Sequence, residues 1–230
     1  MSVLIYTRNH TADGKGFVHD NIAVCAEALK ELCAKEGLSS EVSDDPAVFL
    51  ADGFAKREAV IFANSNNEAF ADDGQRGALL DYVYRGGAFM GLHSASGSDR
   101  KSEAFKGLLG ARFVWHPPMQ PFRIFVNDRR HPATAHLGET WAWTDEAYMC
   151  DWTPDMHVLL DLDVASLVKT PRDKRLDAFS NGRYPLAWCR RHGDGRVFYT
   201  ALGHKKEHYR DAAFLAHLIN GLLWAMGKRT

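Results

Sequence analysis

A five-residue apolar run, Ala88-Phe89-Met90-Gly91-Leu92, stands between Gly86-Gly87 and a polar turn that begins at His93. Upstream, residues 75–85 have helical character, and the Gly pair supplies the positive φ on which helices commonly end. The run is too short for a helix and is bounded by turn signals. That is the pattern of a strand buried on both faces of a parallel sheet. Open α/β sheets bind ligands beyond the carboxyl ends of their strands. His93 falls at such an end, so position alone makes it a candidate site residue.

The rest of the first half repeats this alternation. Residues 3–7 read as the first strand, and residues 8–17, with Asp13-Gly14 and Gly16, as a loop. His19-Asp20 opens a helix with Ile22, Cys25, Ala26, Leu29, Leu32 and Cys33 on its apolar face, and Gly37 ends it. Ser40–Ser43 and Ala59–Ala63 read as strands, the second central and followed by the polar loop Asn64-Ser65-Asn66-Asn67. This order predicts an α/β fold, a parallel sheet covered by helices.

The second half is less regular. It reads as a helix over 105–109 stopped by Gly110, strands over 113–115, 122–126 and 156–162, and an aromatic-rich stretch over 140–148. A hairpin follows, 184–191 with 196–202, turned at His192-Gly193-Asp194-Gly195, and then a final helix over 211–226. Residues 163–182 are polar and charged. They read as a loop, either a lid or a contact between copies of the chain in a homo-oligomer. No repeat, low-complexity tract or linker interrupts residues 1–230, so one domain is the simplest organisation.

A net charge of -1 with no basic stripe argues against nucleic acid or an anionic membrane as partner. No apolar run approaches the length of a membrane span, and the first residues run into a strand rather than a signal pattern. A cytoplasmic protein is expected. Cys25, Cys33, Cys150 and Cys189 form no Cys-x-x-Cys pair and read as buried reduced thiols.

The 11 histidines are the unusual feature of the composition. Four fall where an α/β sheet puts its chemistry: His19 after the first strand and loop, and His93, His116 and His204 after later strands. If those strands share one sheet, the four side chains converge on one rim. His10, His131, His136, His157, His192, His208 and His217 read as surface or structural. Among the acids, Asp145-Glu146 lies in an aromatic segment and reads either as a partly buried pair, whose burial would raise a carboxyl pKa towards neutrality, or as a solvated acidic turn. Trp115, Trp141, Trp143 and Tyr148 read either as core or as a platform for stacking a sugar.

Several segments, in order along nearly the whole chain, resemble the ThuA-like family, the trehalose-utilisation proteins. They are Gly16-Phe17-Val18-His19-Asp20, residues 86–95, Phe113-Val114-Trp115-His116-Pro117, His131-Pro132, Thr144-Asp145-Glu146-Ala147-Tyr148, Pro185-Leu186-Ala187-Trp188 and residues 195–204. The resemblance implies a flavodoxin-like, class I glutamine amidotransferase-like three-layer sandwich with a mostly parallel central sheet. In glutamine amidotransferases the turn after this central strand bears a nucleophilic Cys. Here His93 holds that position, so glutamine hydrolysis through a thioester is not expected. His204 and Glu207 look like the counterpart of the amidotransferase His and Glu, with wider spacing.

The resemblance further implies disaccharide or glycoside catabolism, alongside a sugar 3-dehydrogenase that makes 3-keto sugars. The expected catalytic set is His19, His93, His116, Glu146 and His204, with Trp115, Asp145 and Tyr148 binding a small sugar. Two mechanisms fit these residue types. In one, His93 or His204 is general base and Glu146 or His19 general acid. In the other, His93, His116 and His204 hold a divalent metal, zinc, manganese or iron. No His-Glu-x-x-His spacing marks such a site, and no nucleotide cofactor is expected. Isomerisation, elimination or hydrolysis of a keto-sugar or glycoside would follow. The alternative is a non-catalytic sugar-binding or regulatory module on the same fold.

Overall fold

The computed structural model describes residues 2–168 and 183–230. Its core is a nine-stranded sheet in the order β2-β1-β3-β4-β11-β10-β9-β6-β7. The strands are β1 (Val3–Tyr6), β2 (Ser40–Ser43), β3 (Ala59–Ala63), β4 (Ala88–Leu92), β6 (Gln120–Val126), β7 (Thr140–Asp145), β9 (His157–Asp163), β10 (Arg183–His192) and β11 (Gly195–Thr200). Two further strands, β5 (Ala111–Trp115) and β8 (Met149–Trp152), pair with each other outside it. Of residues 163–182, read above as a loop or lid, 169–182 lie outside the described residues.

β2, β1, β3, β4 and β11 run parallel. β1, β3 and β4 are buried at every position, as continuous apolar runs require. The mostly parallel sheet that the resemblance implied is present, and beyond β11 its strands pair antiparallel. A two-residue turn, Gly193-Asp194, joins β10 to β11 and forces that pair to be antiparallel, and β9, β6 and β7 continue the alternation. Four antiparallel steps return β7 to the direction of β11. The carboxyl ends of β1, β4, β11 and β7 therefore point the same way.

Four α-helices cover the sheet: α1 (Ile22–Lys35), α2 (Asp73–Tyr84), α3 (Glu103–Leu109) and α4 (Ala212–Ala225). Neighbouring residues of β11 separate two of them. Tyr199, with Gly91 beside it on β4, faces Leu109 of α3, whereas Phe198 faces His217 and Gly221 of α4. The helices thus lie on both faces, and the layers are helix, sheet, helix. Tyr6, Phe49, Phe62, Phe70, Phe89 and Phe105 form one connected aromatic cluster in the core.

Caps set the helix starts. Asp72 accepts from Gln75 N (2.9 Å), so α2 begins earlier than 75–85. Ser102 and Asp211 cap α3 and α4 in the same way, and Gly110, at φ +92°, stops α3. α1 starts at Ile22 rather than at His19-Asp20. Its capping residue Asn21 does not bond the first turn, because its side chain is engaged elsewhere. β8 had no sequence signal: Met149-Cys150-Asp151-Trp152 has neither clean alternation nor a flanking turn pair.

Candidate catalytic centre

His93 is the first residue beyond β4, in a left-handed conformation at φ +43°. For a residue with a Cβ this costs on the order of 1 to 2 kcal/mol and persists only where the surroundings impose it. They do here. The Tyr199 hydroxyl donates to the His93 carbonyl (2.7 Å), and Ser96 Oγ donates to the same oxygen (3.2 Å). Gly91 lets the turn close, since a Cβ there would sit 2.8 Å from Leu109 Cδ1 and 3.0 Å from Tyr199 Cδ2. The sharp turn that offers a nucleophile in amidotransferases is thus present, and it presents an imidazole.

That imidazole has a defined tautomer. His93 Nδ1 lies 2.7 Å from the Ala201 carbonyl, which can only accept, so Nδ1 carries the hydrogen and Nε2 keeps its lone pair. Nε2 faces His204 Nδ1 at 3.2 Å and Glu146 Oε2 at 3.9 Å. His204 Nδ1 is also 3.1 Å from Glu146 Oε2, so its hydrogen is shared between the two acceptors. The His19 ring is centred 4.9 Å from His93 and 5.1 Å from His204. His19 Nε2 is 3.4 Å from the Tyr148 hydroxyl, and His19 Nδ1 is buried with no hydrogen-bond partner. One donor atom from each of His19, His93, Glu146 and His204 lies within 4.8 Å of the others.

Burial governs the charges. His93 is fully buried and is held well below the usual imidazole range by desolvation, and then by His19. Desolvation, reinforced by His204, pushes His19 down to about 4. For His204 desolvation works the other way from the net result: the hydrogen bond and charge of Glu146 outweigh it and raise the pKa. Burial raises Glu146, but His204 and His116 outweigh it and hold the carboxylate low. At neutral pH the centre holds two neutral imidazoles beside a carboxylate–imidazole pair.

His116 stands at the edge of this group, with about a third of its side chain exposed. Its Nδ1 bonds the Pro117 carbonyl (2.9 Å), which leaves Nε2 as an acceptor 3.7 Å from Glu146 Oε2. Its ring stacks over Tyr148, whose own ring is 4.1 Å from His93. His204 also forms part of the wall of a groove of about 1150 Å³, with Lys205, Lys206, Arg123 and Thr144.

The residues singled out from sequence are thus sorted. His19, His93, Glu146 and His204 converge, with His116 and Tyr148 beside them. The cluster with metal-ligand spacing contains His19 and Glu146 rather than His116, which differs from the expected trio of His93, His116 and His204. The carboxylate on His204 is Glu146, and Glu207 is exposed. Asp145, expected to bind substrate, is buried and turned inward. It accepts from Trp143 Nε1 (3.0 Å), Gly203 N (2.8 Å) and Glu146 N (2.8 Å). It therefore positions the two segments that carry Glu146 and His204. Trp115 is half-buried against the core at the end of β5. Trp143 is core, packed on His208 and Phe214, with Trp141 against it.

Three positioning residues were not singled out. Asn21 Nδ2 donates to the carbonyls of Gly203 (2.8 Å) and His204 (2.5 Å). Asn64, left-handed at φ +53° after β3, donates to Asn21 Oδ1 and to the Tyr209 hydroxyl (both 2.9 Å), and Tyr209 donates to Gly203 O (2.9 Å). The loop before His204 is held from three elements while Gly203, at φ +115°, makes its turn. The available signal was Asn at a helix cap and Asn just past a strand, both common where backbone groups need partners.

All four cysteines are free and buried, and burial pushes Cys150, the one on the Tyr148 side, up to about 12. A trehalose-utilisation (ThuA) family model matches residues 2–225. The chain belongs to the ThuA family. Solved structures of ThuA-like proteins superpose on this ThuA chain along its full length. The one from Parabacteroides merdae ATCC 43184 has a TM-score of 0.77 at 18% identity, covering 100% of this chain and 91% of its own. The one from Bacteroides uniformis ATCC 8492 has 0.74 at 22%, covering 100% and 93%. A cytoplasmic protein from Salmonella typhimurium has 0.66 at 11%, covering 98% and 99%. The fold of this ThuA chain is glutamine amidotransferase-like. No curated protein matches it in sequence. Among the described residues no helix is long and apolar enough to cross a membrane.

Proposed function

We propose that this ThuA-family chain is an enzyme of carbohydrate catabolism that moves a proton on a carbon next to the carbonyl of a keto-sugar or keto-glycoside. The observation that carries the reading is the convergence of three imidazoles and one carboxylate at the carboxyl ends of β1, β4, β11 and β7. A fourth imidazole, His116, stands partly exposed at their edge. A 3-keto group acidifies the neighbouring C2–H. His116 Nε2, an acceptor by its tautomer, takes that proton while the buried polar groups of the cluster face the carbonyl oxygen. The C–H electron pair moves into the C2–C3 bond and the carbonyl pair onto oxygen. For isomerisation the O2 proton of this enediolate passes to O3 as the C2 carbonyl forms, and His116 returns its proton to C3. For β-elimination the C3 carbonyl re-forms, a C1–C2 double bond forms, and the C1 substituent leaves with its bonding pair and takes the proton from His116. Hydrolysis of glutamine is no part of this chemistry: the elbow bears an imidazole and the thiols are buried.

The test is exchange in D2O. A 3-keto-glycoside incubated with the protein should lose its C2–H signal in proton NMR, with release of the glycosidic substituent where elimination follows. His116→Ala, shown to be folded by circular dichroism, should slow exchange about 100-fold. Exchange no faster than buffer with the parent protein, across glucosides and galactosides, would refute the reading.

A further inference from the structure

The geometry of the same cluster points to a second property. We propose that His19, His93, Glu146 and His204 form a binding site for one divalent first-row transition-metal ion. The inference concerns the centre described above but does not depend on its catalytic reading.

Distance is the first argument. Donor atoms around a tetrahedral zinc, with bonds of ~2.05 Å, lie about 3.3 Å apart. His93 Nε2 and His204 Nδ1 are 3.2 Å apart, His204 Nδ1 and Glu146 Oε2 3.1 Å, and His93 Nε2 and Glu146 Oε2 3.9 Å. Three donors already form one face of a coordination polyhedron, and His19 brings a fourth within 4.8 Å of each. The other His–carboxylate pairs, His157 with Asp128, His10 with Glu68 and the buried His208 with Asp145, have no third member at such spacing among the described residues.

The outer hydrogen bonds form the second argument. Metal-binding imidazoles usually donate their other nitrogen to a carbonyl or carboxylate, which fixes the ring and frees the ligating nitrogen. His93 does this with Ala201 O at 2.7 Å. Asp145 fixes the backbone at Glu146 and Gly203, and Asn21 fixes the carbonyls of Gly203 and His204, so these ligands are carried on braced segments.

The third argument is an unmet need. His19 is 5% exposed, and its Nδ1 has no hydrogen-bond partner. Buried polar nitrogens are rarely left so, because the lost hydration is not recovered. A cation held by the cluster gives a reason for packing three imidazoles together in the protein interior. Three nitrogens and one carboxylate oxygen suit zinc, manganese or ferrous iron rather than calcium or magnesium, which take oxygen ligands. Glu146 and His204 remain partly exposed, so an ion there would keep a side open to substrate and could polarise a carbonyl oxygen.

The experiment is binding without substrate. Tag-free full-length protein, stripped with chelator, is titrated separately with Zn2+ and Mn2+ by calorimetry, then dialysed and analysed for metal. Co2+ loading reads the ligand field by visible absorption. Close to one equivalent of either ion is expected. Glu146→Gln, isosteric and at a half-buried position, should weaken binding about 100-fold, as should His93→Gln if it folds. His116→Ala should retain the full equivalent. No binding by the parent, equal binding by Glu146→Gln, or loss of binding in His116→Ala would each overturn the assigned set. Absence of metal binding together with turnover of keto-glycosides by the stripped protein would overturn the site and leave the catalytic reading standing. A loaded protein inert towards them would do the reverse.

Discussion

Replacing His217 with Gln isolates what a buried, uncharged imidazole does to stability in acid. His217 lies on α4, fully buried, with its ring 5.2 Å from Phe198. Its Nδ1 donates to the Ala133 carbonyl (2.8 Å), and its Nε2 is buried with no hydrogen-bond partner. Desolvation is the dominant effect; it outweighs the hydrogen bond to Ala133 and, with His136 and His131 nearby, pushes the pKa from 6.5 to about 3. The folded state therefore refuses a proton that the unfolded chain accepts. Above pH 6.5 both states are neutral here and the stability is fully present. As pH falls from 6.5 towards 3 it is lost at about 1.36 kcal/mol per pH unit, and below that the loss is complete. Between pH 8 and pH 5 this amounts to about 2 kcal/mol from His217 alone. Gln keeps an amide donor for Ala133 but has no titration. Urea unfolding at pH 8, 7, 6 and 5 should show the variant less stable than the parent at pH 8, by about 1 to 2 kcal/mol for imperfect packing. The gap should close by pH 5. Every other titrating group is common to both proteins and cancels in the difference. Parallel curves, agreeing to within about 0.5 kcal/mol over that range, would refute the reasoning.

Three further outcomes are expected. Asp145→Ala leaves the Trp143 indole and two backbone N–H groups without their acceptor and should cost about 3 kcal/mol in urea unfolding, with water restoring part of the loss. Gly91→Ala drives a methyl group against Leu109 and Tyr199 beneath the elbow and should cost about 2 kcal/mol, read as a fall in thermal midpoint. The thiols of Cys25, Cys150 and Cys189 are buried and pushed up to about 12, and that of Cys33 up to about 11. A chromogenic disulfide should therefore find no fast thiol in the native protein and four after denaturation.

What the sequence disclosed follows from how local each signal is. β3 and β4 are continuous apolar runs, and α4 carries a clear core stripe, so a window of a dozen residues suffices to see them. The Gly193-Asp194 turn likewise announced the hairpin. β8 was invisible because its pairing with β5 is decided by partners distant in sequence. The antiparallel half escaped for a related reason: strand direction is set by connections, and only the β10–β11 connection is short. For the centre, residue type and position at strand ends picked out His19, His93, His116 and His204. Orientation was not legible. Asp145 and Glu146 are neighbours with equal sequence claims, yet Asp145, the last residue of β7, is buried against Trp143 and Gly203, while Glu146, just past the strand, reaches the imidazoles. Glu207, which the resemblance set beside His204 as the counterpart of the amidotransferase Glu, is exposed, and the carboxylate on His204 is Glu146, which follows β7.

The hydrogen bond from His93 to Ala201 spans 108 residues, and that from Asn21 to His204 spans 183. Contacts of such sequence separation close large loops and form late in folding. A growing chain that has made His19, His93, His116 and Glu146 holds four of the five side chains but nothing to orient them, because β11 and the turn after it are still missing. The centre appears only once the parallel half and the hairpin half have joined at β4 and β11. Truncated or half-folded forms therefore lack the assembled cluster, and its appearance marks the joining of the two halves of the sheet.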